Sequence, residues 1–420
     1  MVKEPARDGA LRASDGGGRP QRRIRVLVVS ALYLPVYSGA AQQEHDVLRR
    51  LERQGVEGTV LTLRLTGLPR RENLDGVRVL RLGPGGGGRL SRLVFTIEVF
   101  GHLLFQGGKF DLVHSISPGW ACFLVPLAAR ARGIPAVFTS TLMGSDDALS
   151  IRSESLGWLK TRLMRSYHAI TAYTTRQVEL FAQAGYRAER LLELTCGVDD
   201  EYYVPGRNPG CRRELRKLAG REDEGPVLLF IGTLAPRKRV DRLVEAFRRL
   251  LAQHPSAVLV LMGPKSREED FYMDESYVQG LQRRCQAPDL SGHVVFLGRV
   301  DQPERKRAVL HASDLLALFS EHEGLGIVVL EAMACAIPPV LTPIPGIFDY
   351  VVDDGRNGRI ASDGDLAALA AALADVLSIE EKRLAMGRAA RETITRRFSM
   401  NLVASQYLAL YRRLAGRGGA

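Results

Sequence analysis

Two carboxylates and two cations are the residues of this sequence whose types and spacing suit chemistry. Glu323 and Glu331 stand in the stretch SEHEGLGIVVLEAMACA with seven residues between them, and a Gly-x-Gly break follows the first. On one unbroken helix that spacing would set the carboxylates roughly 12 Å apart on partly diverging faces. Gly324 and Gly326 interrupt the path, so Glu323 is expected on a turn and Glu331 inside a helix. Together they suit a long ligand with hydroxyls at two places. An acidic residue favoured by a helix dipole, plus one solvated helix carboxylate, explains the pair equally well. Arg237 and Lys238 lie in GTLAPRK. Two fixed cations at a helix N-terminus suit a diphosphate, the guanidinium as a planar fork and the ammonium as a point charge. Among 58 basic residues, an adjacent pair is also ordinary solvated surface.

Around these residues strands and helices alternate. DLLALF before Glu323 reads as a buried strand, Pro338 and Pro339 end the helix after Glu331, and PVLT reads as the next strand. In such α/β units ligands sit outside the carboxyl ends of the strands, which puts Glu323 in a crevice. The same order opens the chain: IRVLVVS is a continuous apolar strand, ALYLPVYSGAA a loop, and QQEHDVLRRLERQG a helix ending at Gly55. Gly39 precedes that helix, where a missing Cβ lets backbone N–H groups approach a phosphate. VEGTVLTLRL, VRVLRL, FDLVHSIS, IPAVFTST and HAITAYT continue the first domain. VLLFIG, the TLAPRK loop and RVDRLVEAFRRLLAQ repeat its opening in a second.

The expected organisation is a basic disordered tail over 1–23, a first Rossmann-like domain over 24–204, a linker over 205–225, a second Rossmann-like domain over 226–397, and a C-terminal helix with a frayed end over 398–420. Two doubly wound α/β domains facing each other make a cleft. Thr141 at the end of IPAVFTST, Asp146 in the polar MGSDD loop and Arg299 in HVVFLGRV are further candidates for its walls.

At 45% hydrophobic and 25% charged residues the composition is that of a globular protein. The length implies two or three domains, because single cores seldom grow past ~250 to 300 residues. No apolar run reaches the ~18 residues of a membrane span. The five cysteines are scattered without CxxC or metal spacing, which suits reduced thiols in a cytoplasmic protein. A net charge of +11 reflects an anionic partner or a compositional bias towards arginine. Zinc-finger spacing and RNP-type aromatics are absent, so nucleic acid is not expected as a partner. Phosphorylated substrates and anionic lipid headgroups fit the charge. The helix expected from about Leu90 to Phe105 carries Leu93, Val94, Ile97, Phe100, Leu103 and Leu104, with Arg89 and Arg92 at its start. Such a stripe is a core face or, beside the glycine-rich loop at 83–88, a helix lying on an anionic membrane.

Taken together, VLVVSALYLPVYSGA, CGVD, GTLAPRKRVDRLVEAF, VVFLGRV, SEHEGLGIVVLEAMACAIPPV, DDGRNG and the C-terminal FSM resemble family 4 glycosyltransferases of the GT-B type, over nearly the whole chain outside its tail. The resemblance implies a retaining enzyme that moves a sugar from a nucleotide diphosphate sugar to a carbohydrate or lipid-linked acceptor, in polysaccharide or glycolipid assembly. It implies that Glu323 holds hydroxyls of the donor sugar, that the backbone around Gly324, Leu325 and Gly326 approaches that sugar, and that Glu331 accepts hydrogen bonds from the ribose. Arg237 and Lys238 would grip the diphosphate, the Gly39 loop would approach from the first domain, and the C-terminal helix would cross back to that domain. Three departures stand out. Ser38 and Gly39 replace a frequent glycine pair, Thr141 stands where many members carry a histidine near the sugar, and Cys196 stands where NGVD-type relatives carry asparagine.

Glycosyl transfer needs charge stabilised on the departing diphosphate as the sugar becomes oxocarbenium-like, and one oxyanion donor in other enzymes is worth ~3 kcal/mol. With no Asp-x-Asp motif evident at a strand end, no divalent metal and no further cofactor is expected beside the nucleotide-sugar co-substrate. The resemblance implies front-face retention with the leaving phosphate helping to deprotonate the acceptor, so no protein nucleophile is assigned. An NAD-dependent oxidoreductase would want G-x-G-x-x-G between the first strand and helix, and the loop from Ala31 to Gly39 holds one glycine. A non-catalytic nucleotide-sugar-binding protein and a sugar epimerase of the same fold stay open on the sequence alone.

Overall fold

The computed structural model describes residues 22–36, 38–266, 274–362 and 364–416. The expected tail and frayed end therefore lie outside the described residues, apart from Arg22, which ion-pairs with Asp111 at 2.7 Å, and Arg23. Eight strands form the first sheet: β1 (Ile24–Ser30), β2 (Val56–Leu63), β3 (Arg71–Leu74), β4 (Val77–Leu82), β5 (Leu112–Ile116), β6 (Ala136–Ser140), β7 (Ala169–Ala172) and β8 (Leu191–Glu193). Their order is β3-β4-β2-β1-β5-β6-β7-β8, parallel except where β3 meets β4. The second sheet holds β9 (Val227–Ile231), β10 (Val258–Met262), β11 (Val294–Gly298), β12 (Leu315–Leu318), β13 (Pro339–Leu341) and β14 (Arg359–Ile360), in the order β11-β10-β9-β12-β13-β14. Parallel sheets are covered on both faces by their crossover helices. That is why β5, β6, β9 and β10 are buried at every position and read as unbroken apolar runs.

Each sheet reverses its strand order once, between β1 and β5 in the first and between β9 and β12 in the second. Ligands of open α/β sheets lie at that reversal, beyond the carboxyl ends of the strands. The loops after β1, β5, β9 and β12 therefore meet at the cleft, and they lead to Gly39, Ser117, Lys238 and Glu323.

Two helical layers cover the first sheet. On one face Val47, Leu48 and Leu51 of the Gly39–Glu52 helix pack with Val403, Tyr407 and Leu410 of the C-terminal Met400–Ala415 helix. The chain returns there by pairing at Val198, whose N–H donates to Phe398 O and whose carbonyl accepts from Met400 N, both at 2.9 Å. His114 on β5 receives the returning helix, with Nδ1 2.7 Å from the Tyr411 hydroxyl and Nε2 2.6 Å from Thr139 Oγ1. Burial pushes its pKa down to about 3, so the ring is neutral. On the other face Phe95, Val99, Phe123, Ile151 and Met164 belong to a second layer, built from the Arg89–Gln106, Trp120–Ala131, Ala148–Ser153 and Gly157–Met164 helices.

The stretch 205–225, expected as a linker, is part of the second domain. Asn208 caps the Pro209–Leu218 helix by accepting from Cys211 N at 2.9 Å, Cys211 and Leu215 enter that domain's core, and Arg212 pairs with Asp314 at 2.8 Å. The Pro and Gly of EYYVPGRNPG mark the turn into this helix. Among the described residues no helix is long and apolar enough to cross a membrane.

Candidate active site

The loops after β9 and β12 are knitted together. Pro236–Lys238 forms a single 3-10 turn, Arg239 takes a left-handed conformation (φ 46°), and the Val240–Leu250 helix follows. This geometry points the Lys238 side chain inward and leaves Arg237 half exposed. Glu321 N donates to Arg237 O at 2.8 Å, and the Arg237 guanidinium donates to His322 O at 3.1 Å. Lys238 Nζ is ion-paired with Glu323, both side chains being buried, and Arg237 stands 4.0 Å from the same carboxylate. Burial alone would raise the Glu323 carboxyl; the adjacent Lys238 and Arg237 charges overcome it and hold the group below its usual range. Burial also lowers Lys238, and Glu323 only partly offsets that. The residues expected at the sugar end and at the diphosphate end of a ligand thus touch each other.

Two helix N-termini from opposite domains converge beside this pair. Gly39 opens one helix and Ile327 the other, and a Cβ built on Gly39 would lie 3.5 Å from Ile327 Cδ1. Neither Ser38 nor Gly326 caps its helix with a side chain. First-turn N–H groups and both positive dipole ends therefore face the cleft, an arrangement suited to an anion. Gly324 has no room for a side chain, because its Cβ would fall 2.1 Å from Thr141 O across the cleft. Gly326 is left-handed (φ 75°), which releases the chain into the Ile327–Ala334 helix. Leu325 sinks its side chain into the second domain's core, so only its backbone faces the cleft side.

Glu331 is buried inside that helix and meets a cation from the Pro303–His311 helix. Lys306 Nζ lies 2.6 Å from Oε1 and 2.5 Å from Oε2, so the ammonium bridges both carboxylate oxygens. Each carboxylate oxygen has two lone pairs, so the paired carboxylate can still accept from a ligand hydroxyl.

The first domain presents a hydroxyl-lined wall. Thr141 Oγ1 donates to Asp146 Oδ2 at 2.6 Å, Ser145 Oγ to Oδ1 at 2.5 Å, and Ser117 Oγ is 2.6 Å from Thr141 Oγ1. Burial raises the Asp146 carboxyl against these hydrogen bonds. Ser117 is left-handed (φ 60°), a conformation that serine adopts only when its surroundings hold it there. Gly144, in the loop that carries Thr141 and Asp146, faces the His322 ring.

Arg299 follows β11 and reaches the loop before Gly39. It pairs with Asp301 at 2.6 Å and donates to Pro35 O at 3.0 Å across the cleft. The preceding carbonyl, Leu34 O, accepts at 2.8 Å from Arg81, a fully buried guanidinium that also pairs with Glu72 at 2.7 Å. Consecutive carbonyls of the loop that leads to Gly39 are therefore held by one arginine from each domain.

A model of the group 1 glycosyl transferases matches residues 212–393, and a model of the glycosyl transferase 4-like domain matches residues 38–197. The chain is a GT-B glycosyltransferase. It is 28% identical to the D-inositol 3-phosphate glycosyltransferase of Corynebacterium efficiens over 385 residues, 86% of this chain and 87% of that one. It is also 28% identical to a GDP-mannose-dependent alpha-(1-6)-phosphatidylinositol monomannoside mannosyltransferase of Mycolicibacterium smegmatis, over 66% of this chain and 72% of that one. Among solved structures, Anabaena HepE in complex with UDP-glucose superposes with a TM-score of 0.74 at 20% identity, over 93% of this chain and all of that one.

Two residues that sequence spacing did not single out contact this candidate site of the glycosyltransferase, Lys306 at Glu331 and Arg81 at Leu34. Lys306 lies in PERKR, which reads as solvated surface. Arg81 was signalled: it alternates with Val77 and Val79 on the inward face of β4, where an arginine has no reason to be unless it is paired.

Proposed function

We propose that this glycosyltransferase is a retaining enzyme that transfers a hexosyl group from a nucleoside diphosphate sugar to an acceptor hydroxyl, on the cytoplasmic side of a membrane, with a lipid-linked glycan as the favoured acceptor. The observation that carries the proposal is the convergence of two uncapped helix N-termini beside Arg237 and the Lys238–Glu323 pair. A diphosphate entering there competes with Glu323 for the Lys238 ammonium. The carboxylate released from the ammonium then accepts hydrogen bonds from sugar hydroxyls, while the Glu331 carboxylate accepts one from the ribose. When the bond from the anomeric carbon to the diphosphate breaks, the electron pair leaves with the phosphate oxygen, where fixed cations and N–H groups stabilise it without reorganising. The acceptor oxygen attacks the face that the diphosphate leaves, and its proton passes to the departing phosphate. Thr141 and Ser117 lie on the wall where an acceptor hydroxyl would be oriented. No metal or further cofactor is assigned a part in these steps.

The UDP-glucose of the HepE complex and the GDP-mannose in the name of the mannosyltransferase support a nucleoside diphosphate sugar as donor, and the phosphatidylinositol mannoside in that name supports a lipid-linked acceptor. A thermal-shift panel of UDP-, GDP- and ADP-sugars tests the donor. The expected result is stabilisation by one nucleotide class, reproduced by its free diphosphate and lost in Arg237→Ala. Stabilisation by nicotinamide dinucleotides alone would overturn it.

A further inference from the structure

The helical layer over one face of the first sheet is apolar on both sides. Phe95, Val99 and Leu103 of the Arg89–Gln106 helix enter the core. Leu90, Leu93, Ile97 and Phe105 of the same helix point outward, Leu90 at 69% and Phe105 at 83% exposure. The neighbouring helices add Trp120 and Trp158, 43% and 69% exposed, and the Lys160 ammonium over the Trp120 ring, 5.4 Å from its centroid, puts the two tryptophan-bearing segments side by side. These are the only two tryptophans in the chain. Arg89, Arg92, Arg130, Arg152 and Arg162 are exposed on the same layer. The one exposed carboxylate among these helices, Glu154, is bound by Lys160 at 2.5 Å, and Glu98 is turned to Gly83 N.

The layer also has an orientation. β4, β5 and β6 end at the cleft, and the Arg89–Gln106, Trp120–Ala131 and Ala148–Ser153 helices start directly after them. Leu90, Leu93, Trp120 and Leu149 therefore stand in the first turns, at the edge of the sheet where Ser117 and Thr141 face the donor loops. Phe105 and Arg130 lie at the far end.

We infer that this four-helix face seats on an anionic bilayer surface and brings the cleft mouth to the lipid headgroups. The charge decides the occupant. Outward leucines, tryptophans and exposed arginines are the residue set that lies in a headgroup region. A second copy docked through the same face would oppose arginine to arginine, since a two-fold interface pairs a patch with itself. The docking face rests on the helices alone; the lipid-linked acceptor rests on the proposed transfer reaction.

The test uses the full chain with vesicles of phosphatidylcholine, with and without phosphatidylglycerol, and with brominated acyl chains as quenchers. Binding to the anionic vesicles should shift tryptophan emission to shorter wavelength, and bromine should quench it. Raising the salt should release the protein, because screening shortens the reach of the surface potential. Arg89→Gln and Arg92→Gln should each weaken partitioning about fivefold, and Leu93→Ser with Ile97→Ser should weaken it at least tenfold. Each variant should keep the wild-type response to the donor in the thermal-shift assay. Absence of binding, binding without bromine quenching, or dimerisation through this face in light scattering would each overturn the inference. Loss of vesicle binding with donor binding intact would leave the proposed reaction standing.

Discussion

Replacing Lys238 by methionine removes the ammonium from a pair whose partners are both buried. Glu323 then keeps its burial and loses its main counter-charge, with the half-exposed Arg237 still 4.0 Å away. Breaking a buried pair on one side costs about 3–5 kcal/mol, and the remaining guanidinium places this case at about 3 kcal/mol. The double variant Lys238→Met, Glu323→Gln leaves no uncompensated charge, so most of that stability returns. Activity follows another rule. Losing one preorganised donor to a developing anion lowers kcat by roughly 10²–10³, and neutralising Glu323 does not replace it. The double variant should therefore unfold close to wild type while turnover stays at least about a hundredfold down. Thermal melting and nucleotide release measured on wild type, single and double variants decide the matter. If the double variant regains turnover together with stability, the pair is only structural and the reasoning fails. The folded Glu323 pKa is lowered, so its contribution to stability is present above the unfolded value and lost as pH falls through the folded one. The advantage of wild type over the double variant should shrink in acid below the ordinary carboxylate range.

Glu331→Ala should weaken nucleotide binding about 10- to 100-fold, the worth of a hydrogen bond to a charged group, and an unchanged calorimetric Kd would remove the ribose contact. Arg81→Met should release Leu34 O and loosen the loop before Gly39, lowering kcat/KM by roughly tenfold, as expected for a small misplacement. Nucleotide affinity of the second domain should stay as it was, and equal losses in both would mean general misfolding. Glu44 is buried within electrostatic reach of Tyr173, Tyr407 and Tyr411, its Oε1 has no hydrogen-bond partner, and burial pushes its pKa up to about 8. Its raised folded pKa means that stability is full below the unfolded value near 4.5 and declines as pH rises towards the folded one, by at most about 1.4 kcal/mol per pH unit. Glu44→Gln should flatten that slope in denaturant titrations, and an unchanged slope would place the titration elsewhere.

The strands were legible because burial on both faces leaves continuous apolar runs, as in IRVLVVS and VLLFI. β3, with the sequence RENL, pairs only at the edge and has no such run. The outward Leu90, Leu93 and Ile97 were visible as part of one stripe; that Phe95, Val99 and Leu103 divide it into a core face and an exposed face needed the packing. Glu323, Glu331, Arg237 and Lys238 were all visible as candidates. Their pairing was not, because a contact between residues 85 apart obeys no spacing rule and depends on which strands become neighbours. β9 and β12 do so at the reversal of strand order, and that alone brings Lys238 to Glu323. Lys306 meets Glu331 through the packing of two helices, which a charged run such as PERKR does not announce.

The central claim is transfer from a nucleoside diphosphate sugar at the Lys238–Glu323 site. The most direct test incubates the full chain with the donor chosen by thermal shift and a pool of lipid-linked glycan acceptors, and follows release of nucleoside diphosphate together with the anomeric configuration of the product by NMR. The account predicts release only when acceptor is present, a product with the donor's configuration, and loss of both in Glu323→Gln. Equal release without acceptor, an inverted product, or full activity in Glu323→Gln would contradict it.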